Sequence, residues 1–194
     1  MMQNAISTLV QTSLRAPRDA AQSVINMQLS RDVLWTALAL VAVLNTFLVL
    51  LVVEVSGPSL QLPSYFSRPL VLFILIAGLS VVYVHAMFWA GGMIGGKGTL
   101  MDVLSIVVWF QILRALAQGV VLVLSVAVPA LGSLMSFVVA FWGLWIFMNF
   151  LSVALKLSTP WHSILVMFVA FVGLVLGLGV LIALIGGFAQ GVTS

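Results

Sequence analysis

An arginine stands alone in the middle of an apolar stretch. Between Val103 and Ala127 no other residue is charged, and Arg114 lies twelve residues beyond Asp102. At helical rise that places it about 18 Å along the element, near the middle of a membrane span. A charge at that depth costs about 2.5–3.5 kcal/mol on insertion scales, so it must face protein or water rather than lipid. Gln111 and Gln118 stand at i−3 and i+4 on the same helical face, and Ser125 continues the stripe. Asn45 is twelve residues past the start of the first apolar run and reaches a similar depth, whereas Glu54 is nine residues further along, about 13 Å away. The spacing therefore predicts an intramembrane polar network of Arg114, Gln111, Gln118 and Asn45. Its chemistry is either a site for a ligand or lipid headgroup, or hydrogen bonding that glues helices together.

A second set of polar residues, His85, Lys97, Asp102, Lys156 and His162, falls near one end of the apolar runs. Two histidines and an aspartate are metal-ligand types. No pair of histidines shares a helical face at ligand spacing, so helix capping and headgroup contact are the simpler roles. The turn Gly91-Gly92-Met93-Ile94-Gly95-Gly96-Lys97-Gly98-Thr99 approaches the phosphate-binding loop GxxxxGK[ST], but Gly98 occupies the hydroxyl position and no strand precedes it. Nucleotide hydrolysis is therefore rejected in favour of a hinge or headgroup-binding turn. No nucleophile–base pair is evident. The expectation is a chain with no catalytic residues, no bound metal and no cofactor.

The elements that must position these residues follow from composition. Hydrophobic residues make up 63% of the 194 and charged residues only 6%, against about 25% charged in soluble domains. Mean hydropathy is +1.31. Five runs are long enough to cross about 30 Å of hydrocarbon: Val33–Val53, Pro69–Ala90, Val103–Ala127, Leu131–Leu155 and Ser163–Gly186. They must be helices, because backbone groups in lipid have to be satisfied within the segment; continuous rather than alternating apolarity excludes a barrel. The fold class read here is all-α, a polytopic membrane protein of five transmembrane helices with a short amphipathic N-terminal segment.

Punctuation between the runs agrees. Gly57-Pro58, Pro63 and Arg68-Pro69 mark one loop, Pro129 and Gly132 a tight turn, and Ser158-Thr159-Pro160 the start of the last helix. Thr99 followed by Asp102 reads as a capping box. Arg15, Arg18, Arg31, Lys97 and Lys156 fall on one side of the membrane and Arg68 on the other. By the distribution of basic residues the N-terminus is then cytoplasmic and the C-terminus outside. The seven basic residues form no nucleic-acid patch, and the absence of cysteine excludes disulfides and thiolate metal sites. The polar first 31 residues do not read as a signal peptide. Ile6, Leu9, Val10 and Leu14, then Val24, Ile25, Gln28 and Leu29, recur at helical spacing. They fit either an interfacial helix on anionic lipid or a loosely ordered tail. Trp35, Trp89 and Trp161 fall at expected interfaces, and Trp109, Trp142 and Trp145 deeper, between helices. Gly173 and Gly177 form a GxxxG pair, which serves internal packing or dimerisation.

Several of these residues also resemble a known family. Pro17-Arg18 ahead of the first run, Trp35 at its start, His85 through the glycine turn to Thr99, Trp109-Phe110-Gln111, and Trp145 to Asn149 followed by Lys156 resemble the Yip family of Ypt/Rab-GTPase-interacting membrane proteins in its compact bacterial form. That resemblance implies five spans, a cytoplasmic N-terminus and an exposed C-terminal end, in a bacterial inner membrane. The long polar cytosolic region of the eukaryotic members has no counterpart in the 31 residues here, so Rab binding is not carried over. The expected organisation is an N-terminal segment over 1–31, a membrane domain over 32–188 and a tail over 189–194. The expected function is a non-enzymatic scaffold or adaptor, in membrane organisation or as an accessory subunit. The alternative is a small transporter or lipid-handling protein built around Arg114. Expected partners are membrane lipids and other membrane proteins, with a homo-oligomer as an option and no nucleic acid.

Overall fold

A computed structural model describes the backbone of residues 2–56 and 68–191, and the side chains of residues 6–55 and 68–177. Seven helices follow one another: α1 (Met2–Arg15), α2 (Pro17–Asn26), α3 (Arg31–Ser56), α4 (Pro69–Met93), α5 (Leu100–Ala127), α6 (Pro129–Ala154) and α7 (Pro160–Gly191). The last five are long and apolar enough to cross a membrane. The chain is an all-α integral membrane protein. The loop prolines Pro58 and Pro63 and the expected tail over 189–194 lie outside the residues whose side chains are described.

Local chemistry explains where the helices start. Pro17, Pro69 and Pro129 open α2, α4 and α6, and Pro160 opens α7. Proline is tolerated there because its missing N–H falls among the first-turn groups that have no helical acceptor. α5 opens instead on the expected capping box: Asp102 N–H donates to Thr99 Oγ1 at 3.1 Å and Thr99 N–H donates to Asp102 Oδ2 at 3.0 Å. Val128 alone separates α5 from α6, serving as C-cap of one and N-cap of the other. A Cβ on Gly132 would collide with Ser125 on the facing helix, so this turn closes only over glycine.

The spanning helices form a ring in the order α3–α4–α7–α6–α5, closed by α5 against α3, with α4 also touching α5. The face at which α3, α5 and α7 begin carries Arg31, Lys97 and Lys156 and is called the basic face below. The core is concentrated towards it. Leu34, Leu38 and Val41 of α3, Val84 and Met87 of α4, Val103–Val107 of α5, Phe147–Leu151 of α6 and Val166 of α7 meet there. Further from this face most apolar side chains point outwards, as in Leu116, Val123, Phe137, Phe141 and Phe171. Lipid is the solvent for which such a surface costs nothing.

Two adjoining turns are locked together on the basic face. Lys97 N–H in the α4–α5 turn donates to Leu155 O in the α6–α7 turn at 2.9 Å. Gly96 and Gly98 lie against the Ala154–Leu155 backbone so closely that a Cβ on either would meet backbone atoms. Gly95 has φ +89, a conformation other residues rarely adopt. The glycine run is thus an interhelical lock and not a phosphate cradle, since an amide a phosphate would need is already committed to Leu155. At the end of α6, Leu157 N–H reaches Ser152 O at 2.8 Å and Lys156 N–H reaches Val153 O at 3.1 Å. This is a Schellman ending whose left-handed position, normally glycine, is held by Lys156 at φ 55.

The N-terminal segment is helical and lies against the bundle rather than forming a loose tail. α2 buries Pro17, Ala20, Ala21 and Val24 against α5 and α6, and α1 packs on α2. Its depth was not legible from the sequence. Trp109 Nε1 donates to Ser13 Oγ at 2.9 Å and Trp142 Nε1 to Leu14 O at 3.4 Å. Trp109 is nine residues from the start of α5 and Trp142 twelve from the end of α6, so the α1–α2 corner docks about 13–18 Å from the basic ends of those helices. Helices of 25–28 residues overhang a 30 Å hydrocarbon layer by only about 4–6 Å on each side. A hydrocarbon layer centred on these helices would therefore include the corner.

Candidate intramembrane polar site

Arg114 is fourteen residues from the start of α5 and thirteen from its end, hence at mid-span. Asn45 of α3 meets it at the same height: Arg114 Nη2 donates to Asn45 Oδ1 at 3.1 Å. Asn45 is buried, and its Nδ2 donates back to Val41 O at 2.9 Å. That bond turns the amide so that Oδ1 faces the guanidinium. The predicted pair is present.

The two glutamines do not join it. Gln111 turns towards α4, where its Nε2 stands 3.5 Å from Ser80 Oγ, a long contact. Gln118 lines a cavity and makes no hydrogen bond among the described residues. The shared face was correctly placed, but a helix face about 100° wide borders more than one neighbour, and α5 lies between α3, α4 and α6. Ser125 is separate again, bonding to Val121 O in its own helix.

Two cavities flank Arg114. The larger, about 800 Å³, lies between α1, α5 and α6. It is walled by Val10, Leu14, Leu116, Val120, Val139 and Trp142, with Tyr83, Gln118 and Ser136 as the polar groups beside Arg114. The smaller, about 440 Å³, lies towards α4 and α7 and includes Ser80 and Gln111. Tyr83, Phe110 and Arg114 border both. An aromatic cluster stiffens this shared wall: Phe147 stands 4.8 Å from Phe110 and 5.9 Å from Tyr83 between ring centroids. The contribution of α1 through Val10 and Leu14, and of Tyr83 from α4, was missed by sequence reasoning. A tyrosine in a span carries no spacing signal of its own.

The residues near the basic face are not gathered into one site. His85 stacks on Trp35, with centroids 6.1 Å apart, and its Nδ1 contacts Val81 O at 2.8 Å. His162 Nδ1 contacts Thr159 Oγ1 at 2.6 Å, within its own helix start. Asp102 is held by the capping box. Lys97 and Lys156 are brought near each other through the locked turns. No group of three or more metal-ligand side chains occurs among the described residues.

The tryptophans divide differently from expectation. Trp89 and Trp161 are exposed, as interface residues should be, while Trp35 is half-buried against His85. Trp109 is half-buried, and Trp142 and Trp145 stand 51% and 44% exposed, although Trp142 still bridges α6 to α1 through Leu14 O. Among the described residues nothing lies within 4 Å of where a Cβ on Gly173 or Gly177 of the GxxxG pair would stand.

These features define an integral membrane protein with a polar group at mid-span, an apolar cavity beside it and a helical N-terminal hairpin docked against the bundle. The chain belongs to the Yip family, since the family's Yip1 domain matches residues 12–185, from the end of α1 into α7. Comparison with curated proteins and with solved structures returns no match.

Proposed function

We propose that this protein is a non-enzymatic scaffold or adaptor in the membrane, with its N-terminus cytoplasmic in a bacterial inner membrane. The observation that carries the reading is the outer face of α2. Arg18, Asp19, Gln22, Ser23 and Asn26 are exposed along it, while the opposite face is buried on α5 and α6. Its first residues fall within a hydrocarbon layer centred on the helices, where polar side chains without partners are costly. Within the face, Gln22 Nε2 donates to Asn26 Oδ1 at 3.0 Å and Ser23 Oγ to Asp19 O at 2.8 Å, but the charged ends of Arg18 and Asp19 form no ion pair among the described residues. A polar surface of another membrane protein satisfies them. The open Gly173–Gly177 surface offers a further place of close helix approach. Arg31, Lys97 and Lys156 at one face against Arg68 at the other support the orientation.

Extraction from native membrane in polymer-bounded lipid discs, followed by identification of co-purifying subunits, tests this. A defined partner is expected, and it should be lost when Arg18 and Asp19 are both replaced by Leu. A protein that is always isolated alone, and that moves a solute across liposomes, refutes it.

A second reading, lipid handling, is favoured by one specific observation. The larger cavity is bounded by apolar side chains and opens on an arginine with no carboxylate partner among the described residues.

A further inference from the structure

We propose that the larger cavity binds a single-chain amphiphile with a small anionic head, a carboxylate or a phosphate monoester. The head sits on Arg114 and the tail lies between α1, α5 and α6. This rests on the lipid-handling reading and specifies its ligand.

The head is fixed by charge. A guanidinium has five N–H donors in a rigid fork suited to carboxylate and phosphate oxygens. Asn45 uses one of them. The chain has only four acidic side chains. Asp102 is committed to its cap, Asp19 and Asp32 belong to the first turns of α2 and α3, and Glu54 is exposed nine residues beyond Asn45. None forms an ion pair with Arg114. The cation at mid-span thus has a neutral amide as its protein partner, and an anion is the partner that the surroundings lack.

The tail is fixed by the wall. Away from Arg114, Tyr83, Gln118 and Ser136 the lining is aliphatic or aromatic, and the Ser136 hydroxyl already bonds Gly132 O at 2.9 Å. An inorganic anion would satisfy Arg114 and leave about 800 Å³ of apolar space unfilled. A neutral ester or alcohol would fill the space and leave the cation unpaired. Only a molecule with both parts answers both. The volume falls in the range of sites for one small ligand, about 300–1,000 Å³, which favours one chain over two.

Trp142 borders the cavity and reports on it. The full-length protein in phosphatidylcholine discs is titrated with doxyl-labelled stearate and with its methyl ester, reading quenching of tryptophan fluorescence, with Trp142→Phe as the control for location. The acid is expected to bind at least about tenfold more tightly than the ester, the factor given by charge-assisted hydrogen bonds. Arg114→Leu should lower the acid to the ester's affinity and leave the ester unchanged. Arg114→Gln removes the charge but keeps a polar group, and serves if the Leu variant does not fold. Val139→Trp, which fills the wall, should reduce both probes. Competition with dodecyl phosphate and with palmitate identifies which head is preferred, and inorganic phosphate alone should not compete. Equal binding of acid and ester overturns anion recognition while leaving lipid handling intact. Absence of quenching by either probe overturns both.

Discussion

The glycine turn gives the sharpest mechanical prediction, because five glycines within eight residues are used for different reasons. A methyl group on Gly98 would overlap the Ala154 carbonyl and come within 2.8 Å of Leu155 Cα, both backbone. Neither can swing away as a side-chain end would. On Gly96 it would stand 2.8 Å from Gly91 O and 3.1 Å from Leu155 O. On Gly92, in the last turn of α4, it would meet nothing within 4 Å. Overpacking of this kind costs about 1–3 kcal/mol, whereas Gly→Ala in an unobstructed helix gains about 0.5–1 kcal/mol. Gly98→Ala and Gly92→Ala should therefore differ by about 1.5–4 kcal/mol, with opposite signs relative to the parent. Gly95→Ala should be destabilising through its positive φ alone, by about 1–2 kcal/mol. Reversible unfolding in mixed micelles, followed by far-ultraviolet circular dichroism, measures all of these. If Gly98→Ala and Gly92→Ala have the same stability, the turns are not interlocked as described. If Gly98→Ala leaves stability unchanged but abolishes binding of a nucleotide, the rejected phosphate-loop reading is correct.

Three further substitutions test other contacts. Lys156→Gly should stabilise the protein by about 1 kcal/mol in the same unfolding assay, since glycine adopts the left-handed conformation without steric penalty. Ser13→Ala leaves the Trp109 indole N–H without its acceptor and should cost about 1–3 kcal/mol of local stability, seen as faster hydrogen exchange in α1 and α2 than in the parent. Thr99→Ala removes half of the capping box and should cost about 1 kcal/mol, with increased exchange confined to the first turn of α5; an unchanged first turn would mean that packing alone holds it.

What the sequence made legible was position along each helix. A rise of 1.5 Å per residue fixes height, so Arg114 and Asn45 could be placed at one level from counting alone, and they do bond. The Thr99–Asp102 box and the proline starts were equally readable, being contained within a few residues. What it did not make legible was direction around each helix axis. In a span that is apolar all round there is no polar face to show which side meets protein, so Gln111 turned to Ser80 and Gln118 to a cavity. The N-terminal hairpin was hidden for a related reason. Of the weak stripe Val24, Ile25, Gln28 and Leu29 only Val24 is buried, while the small residues Pro17, Ala20 and Ala21 carry no apolar signal and are revealed as a packing face only by their fit against α5 and α6. Of the two uses open to the GxxxG pair, internal packing finds no neighbour among the described residues.

The bond from Lys97 to Leu155 has a mechanical consequence. Because it ties the α4–α5 corner to the α6–α7 corner beside the densest part of the core, the four helices are clamped at one end, like the spring of a pair of tongs. At the opposite end, α5 and α6 meet at the single-residue elbow of Val128. The space beside Arg114 between α5 and α6 is therefore closed off at both ends, by the clamp on the basic face and by the Gly132–Ser125 contact at the Val128 elbow. A guest reaching Arg114 would enter between the sides of the helices and not along their ends.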